Sequence, residues 1–137
     1  MKTRNIAAFI LISTLLTASS AVREKTVSHE RISMDSITSF LMKYGWETDE
    51  DLIVSEQIII PEKFSSLYSE YNKIQQKQGF DLSDYKGCRA VLYTCPVLNY
   101  ADMENVNAQL IVSENRLIGS DLLCTGENGF IKPINTH

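Results

Sequence analysis

The stretch 61–87, PEKFSSLYSEYNKIQQKQGFDLSDYKG, constrains the fold more than any other part of the chain. Pro61 suits a first helical position, because its ring fixes a helical φ and its missing N–H has no intrahelical partner to lose. Glu62 follows in the first turn, where negative charge opposes the positive end of the helix dipole. Phe64, Leu67, Tyr68, Tyr71 and Ile74 recur at helical spacing on one stripe. Ser65, Ser66, Glu70, Asn72, Lys73, Gln76 and Lys77 occupy the other faces. Gly79 supplies a left-handed residue to stop the helix. The pattern predicts a helix over about residues 61–78. A stripe this wide must be buried, and a sheet face is the expected partner. It reads as core, not as a ligand groove.

The flanking segments supply that sheet. Ser33 or Asp35 can cap a shorter helix over about 34–44, with Met34, Ile37, Phe40, Leu41 and Tyr44 on its apolar face and Gly45 at its end. Trp46 then packs over the helix end. Residues 52–60, LIVSEQIII, are rich in β-branched side chains and read as a strand ending at Pro61. After the turn anchored by Phe80, Leu82 and Tyr85, residues 88–98 read as a second strand. Arg89, Val91, Tyr93, Cys95 and Val97 share one face; Cys88, Ala90, Leu92, Thr94 and Leu98 share the other. Pro96 cannot donate to a ladder, which puts this strand at an edge or bends it there.

Residues 106–113 alternate, with Val106, Ala108, Leu110 and Val112 opposed to Asn107, Gln109 and Ser113, and Ile111 as the exception. Glu114-Asn115 forms a two-residue turn into a returning strand over 117–124. With that turn, Val112 faces Leu117, Leu110 faces Gly119, and Ala108 faces Asp121, which places a lone carboxylate on the apolar face. A three-residue turn instead puts Asp121 outside. Phe130 and Ile131 begin a last short strand. Strands joined by short turns are antiparallel. The expected fold is therefore α+β, a two-layer sandwich of two helices on a mainly antiparallel sheet of four to five strands, within one domain over 33–134.

The N-terminus differs in kind. Lys2 and Arg4 precede the uncharged run IAAFILISTLLT at 6–17, and small residues follow at 18–21. That order is a secretory signal, with cleavage after Ala21 or after Ala18. The run is short of the roughly 20 residues of a membrane span, and an uncleaved anchor over 1–21 is the alternative. Residues 22–32 read as a linker. Without Lys2 and Arg4 the 13 basic residues fall to 11, against 17 acidic ones, a net charge of −6. An acidic domain without a basic patch argues against nucleic-acid binding.

Cys88 and Cys95, about 23 Å apart at strand rise and on opposite faces, cannot bridge. Cys95 with Cys124 is the one pair geometry leaves open, and three small apolar thiols is the simpler reading. The two His, His29 and His137, lie in the linker and at the terminus, and no zinc spacing appears. The acidic loop of Glu47, Asp49, Glu50 and Asp51 lacks the Gly-centred pattern of a calcium loop and reads as solvated. No metal and no cofactor is expected.

The segments FLMKYGW from Phe40, IIIPEKF from Ile58, YNKIQQKQGFDLSDYKG from Tyr71, VLNY from Val97 and NRLIGSDLL from Asn115 make the chain resemble the domain-of-unknown-function 4830 family. The resemblance implies a small exported or anchored protein of Firmicutes and a single domain. It carries no known activity and no functional residue. The turn at Glu114-Asn115 departs from the glycine-containing turn of such sequences, and the three Cys are particular to this chain.

Three functions follow as expectations. The first is a non-enzymatic extracytoplasmic binding module at the cell envelope, with an unknown protein or envelope component as partner. Its contact surface would be the sheet face opposite the long helix, near Tyr93, Gln109 and Asp121. The second is a membrane-associated accessory subunit held only through 1–21. The third is a small secreted hydrolase pairing Asp121 with Glu127 or Asp102; retaining and inverting glycosidases need two acids flanking a cleft. Without a His near a nucleophile, no catalytic residue is assigned.

Overall fold

The computed structural model describes residues 33–136. The expected export segment, the 22–32 linker, His29 and His137 lie outside the described residues. In chain order the elements are α1 (Met34–Lys43), β1 (Val54–Ile59), α2 (Ser66–Gln76), β2 (Arg89–Pro96), β3 (Val106–Ser113), β4 (Arg116–Cys124) and β5 (Phe130–Lys132), with 3₁₀ turns at Glu50–Leu52 and Leu82–Tyr85. The strands form one antiparallel sheet in the order β1-β2-β3-β4-β5. The α+β class and the antiparallel meander are as the sequence predicts. So is the packing of α2 on the sheet.

The helix termini follow local chemistry. Ser33 caps α1, its side chain accepting from the Ser36 N–H at 3.2 Å. α2 begins at Ser66, later than Pro61. Ile60 stays in the ladder: its N–H donates to Cys88 O and its carbonyl accepts from Gly87. Pro61 therefore leaves a strand, and Ser65 takes the capping role by accepting from the Tyr68 N–H at 3.1 Å. The Phe64 ring then lies 4.6 Å from that of Tyr68. At the far end Gly79, at φ 86°, lets its own N–H reach Gln76 O and that of Phe80 reach Gln75 O. This crossed pair satisfies carbonyls that the helix leaves open.

Asn72 and Asp81 fasten α2 to the connector that launches β2. Asn72 Nδ2 donates to Asp81 Oδ1 at 2.8 Å, and Asn72 Oδ1 accepts from the Leu82 N–H at 2.8 Å. Hydrogen bonds from Asn72 and Ser83 hold the Asp81 carboxyl well below the usual carboxylate range.

Both sheet faces are covered over the central strands β3 and β4. Under α2 lie Ile58, Ala90, Leu92, Ile111, Ile118 and Leu123, with Tyr68 and Tyr71 from the helix. On the opposite face, Ile37 and Leu41 of α1 cover Tyr93, Cys95, Ala108, Leu110, Val112 and Leu122. The predicted face assignment of β2 holds, but α1 adds a layer on the face expected to be open. Ile111 breaks the alternation of β3 because the Gln109 side of that strand is core as well. Trp46 is buried as expected, its Nε1 donating to Ile134 O at 2.7 Å and its ring stacked 5.5 Å from Tyr100.

The hairpin is closed by the two-residue turn, with Glu114 and Asn115 at φ 48° and 61°, the double left-handed geometry of a type I′ turn. Val112 opposes Leu117 as predicted. A bulge then intervenes: Ile111 opposes Gly119, which leaves Ile118 as the extra residue. Asp121 consequently opposes Gln109, not Ala108. The bulge produces the register change that a three-residue turn would have made. Asp121 is still not outside, because its side of the sheet lies under α2.

Candidate functional site

The three residues expected to mark a contact surface do not form one. Tyr93 faces α1, whereas Gln109 and Asp121 face α2, and all three are buried. What the fold assembles is a closed polar cluster between α2 and β4. Tyr68, Tyr71, Asn72 and Gln75 are the buried residues of α2, at the spacing that puts Tyr71 and Gln75 one turn apart on one face.

Tyr71 Oη donates to Asp121 Oδ2 at 2.6 Å, and Gln75 Nε2 reaches the same oxygen at 3.4 Å. Gln75 Oε1 accepts from the Ser120 N–H at 2.8 Å. Gln78, just past the helix, donates to Ser120 O at 2.7 Å and accepts from Ser120 Oγ and the Ile134 N–H. Gly119 makes this approach feasible: a Cβ there would lie 3.1 Å from Gln75 Oε1. These bonds explain why a helix with a Gln and an Asn on its buried side is stable, since both of those side chains find partners.

Two acceptors remain without one. Asp121 Oδ1 and Gln109 Oε1 are buried and have no hydrogen-bond partner. Their residues are directly paired across β3 and β4, with side chains on the same face and Cβ atoms about 4.5–5.5 Å apart. A proton on Asp121 would give this side of the pair the donor that two acceptors lack. Burial pushes the Asp121 acid up to about 7, while the bonds from Tyr71 and Gln75 pull it down. Burial, and then the nearby Asp121 charge, raises Tyr71 and Tyr68 well above the ordinary phenol value. Among the described residues no cation contacts Asp121, so burial there favours the neutral acid.

Asp121 is 0% exposed, while Asp102 and Glu127 are exposed, so the three carboxylates share no solvent-open cleft. Cys88 is free and exposed; Cys95 and Cys124 are free and buried, and burial pushes the Cys95 thiol up to about 12. That agrees with three unpaired thiols and leaves Cys95 a poor nucleophile. Among the described residues no group of three His, Cys, Asp or Glu could hold a metal ion. None of the helices described is long and apolar enough to cross a membrane.

The surface the sequence reading missed is the outer side of β1. Among the described residues this strand bonds only to β2, and Val54 and Ile59 are 64% and 46% exposed. The missed signal is in LIVSEQIII itself: a strand with one charge, neither Lys nor Pro within it, and no sheet neighbour on its other side.

The family model described as a domain of unknown function (DUF4830) matches residues 40–122. The chain belongs to the DUF4830 family. The match begins at Phe40 in α1 and ends at Leu122 in β4, so the DUF4830 region contains the last turn of α1 with Leu41, all of α2, the β1 edge and the whole Tyr71–Gln75–Asp121 cluster. No curated protein and no solved structure matches the chain.

Proposed function

We propose that this DUF4830 chain is a non-enzymatic extracytoplasmic binding module, exported or anchored through residues 1–21 at the cell envelope of a Firmicutes bacterium, and that it engages its partner through the free edge of β1. The observation that carries this reading is that edge: a strand of six residues, hydrogen-bonded on one side, exposed at Val54 and Ile59. An extended segment added to such an edge gains main-chain hydrogen bonds along its length and side-chain contacts at alternate positions. The acid set supports the non-enzymatic part, because Asp121, the acid raised towards neutrality among the described residues, is sealed beneath α2. The partner is a protein or envelope component; nucleic acid is disfavoured by the acidic balance.

The test is cross-linking in cells with a photoreactive residue at Ser55 on β1 and, as control, at Lys77, an exposed residue just past α2. Covalent adducts specific to Ser55 are expected; adducts at neither position, or equally at both, would defeat the reading. The hydrolase alternative gains ground only if a hydrolytic activity is found that Asp121→Asn abolishes. Fractionation of the bacterial culture separates the anchored accessory-subunit reading from the secreted one.

A further inference from the structure

We infer that the partner of the β1 edge is a second copy of this chain, joined strand to strand about a two-fold axis so that two sheets become one. This rests on the proposal that β1 is the contact surface, and it names the occupant.

The direction of the backbone groups comes first. Ile60 N–H donates to Cys88 O, and its carbonyl accepts from Gly87, so both point towards β2. Backbone groups alternate sides along a strand, and Ile58, Glu56 and Val54, opposite Ala90, Leu92 and Thr94, point the same way as Ile60. The N–H and C=O groups of Ser55, Gln57 and Ile59 therefore point outward. Native sheets usually blunt such an edge with Lys, Pro, a bulge or extreme shortness. β1 has none of these between Val54 and Ile59, and its pairing with β2 is unbroken. The opposite edge, β5, has three residues and is followed by Pro133.

Symmetry then fixes the register. A two-fold axis normal to the sheet keeps like faces together, so residue pairs across it must have the same parity. Centring on Gln57 pairs Gln57 with its own copy and Ser55 with Ile59, and every outward group of the three residues finds a partner. Val54 then meets Ile60, and Glu56 meets Ile58. Centring on Glu56 would oppose two carboxylates directly, which is destabilising.

The ends of the strand complement each other in charge. Asp49, Glu50 and Asp51 are exposed ahead of β1, with no basic residue among them. At the other end are exposed Lys63, Lys86 and Arg89, the last directly opposite Ile59, with Glu62 and Asp84 between them and a net positive balance. Antiparallel pairing lays the acidic end of one copy beside the basic end of the other. Parallel or back-to-back association would not.

The experiment uses the full-length chain in a Cys88→Ser background. Under oxidation Gln57→Cys is expected to give a covalent dimer, because directly paired strand residues about 5.5 Å apart lie within disulfide reach. Glu56→Cys, offset on the diagonal at about 7–8 Å, is expected to cross-link at least tenfold more slowly. In sedimentation, Gln57→Pro should convert the dimer to monomer with an unchanged circular-dichroism spectrum, since the lost N–H bonds nothing within the monomer. Asp51→Lys should weaken the dimer, and Asp51→Lys with Lys63→Asp should restore it. A wild-type chain that is monomeric up to about 1 mM, beyond any useful self-affinity, or a dimer indifferent to Gln57→Pro, overturns the inference. A monomer that still forms Ser55 adducts with another envelope component overturns only the choice of occupant. A monomer without adducts overturns the contact surface too.

Discussion

The two faces of the sheet are held in different ways. Under α1 the contacts are apolar: Ile37 and Leu41 sit on Tyr93, Cys95 and Leu110, and position is set by shape. Under α2 the apolar contacts are joined by directional ones from Tyr71, Gln75 and Gln78 to Asp121, Ser120 and Ile134. Dispersion and hydrophobic burial are non-directional, so a purely apolar face fixes how much is buried more tightly than where. Hydrogen bonds to defined atoms of β4 fix the register of α2 along the strand. Two of the three buried side-chain atoms without a partner among the described residues, Asp121 Oδ1 and Gln109 Oε1, also lie on the stitched face; the third is Thr48 Oγ1.

The largest expected effect breaks the apolar face. Leu41, 0% exposed, loses its side chain in Leu41→Ala, which should cost about 2–5 kcal/mol in denaturant unfolding. An equal loss from a polar α2 change would erase the contrast.

Between acid and neutral pH the stitched face should alone respond, because the shifted group of the other face, Cys95, titrates far above that range. Asp121 has a folded value of about 7, above its ordinary 3.8, because burial penalises the charge. A group raised in this way contributes its full stability below the unfolded value and loses it as pH rises through the folded one. Stability should therefore fall between about pH 4 and pH 7, at up to about 1.4 kcal/mol per pH unit, and stop falling above that window. Asp121→Asn keeps an acceptor for Tyr71 and gains a donor on the Gln109 side, so its profile should lose this slope. A parallel profile in wild type and variant would exclude Asp121 as the source.

Gly119→Ala should cost about 1–3 kcal/mol, because its Cβ would press on Gln75 Oε1 and the strand below cannot yield easily. Tyr71→Phe should cost about 1 kcal/mol at pH 5. It should also move the pH midpoint upward, since the Tyr71 hydrogen bond lowers the Asp121 value. At the small end, Lys73→Ala removes an exposed 2.7 Å ion pair with Glu70 and should change stability by no more than about 0.5 kcal/mol.

Sequence patterning located the elements well where the signal was local. The stripe of Phe64, Tyr68 and Tyr71, the alternation of β2 and the turn at Glu114-Asn115 each depend on residues a few positions apart. The start of α2 was placed too early because Pro61 is as suitable after a strand as within a first turn, and the ladder bonds of Ile60 decide between the two. The candidate site was less legible. Tyr93, Gln109 and Asp121 are on assigned strands, but the expected contact face was already covered by α1, and a one-residue bulge at Ile118 chose the face of Asp121. No local pattern marks a bulge whose extra residue is a buried isoleucine.

By itself, then, the sequence determined the α+β class, the two helices, the antiparallel order and the absence of a metal-ligand spacing, because these depend on periodicity, turn chemistry and residue type; the free state of Cys95 and Cys124 came from the structure. Only the tertiary structure decided that both faces carry a helix, that Asp121 is sealed against Tyr71 with one oxygen left unpartnered and Gln109 as its cross-strand neighbour, and that β1 pairs on one side only among the described residues. Those outcomes arise where residues far apart in the chain meet, and a strand's period of two fixes which side chains share a face without saying what will lie over it.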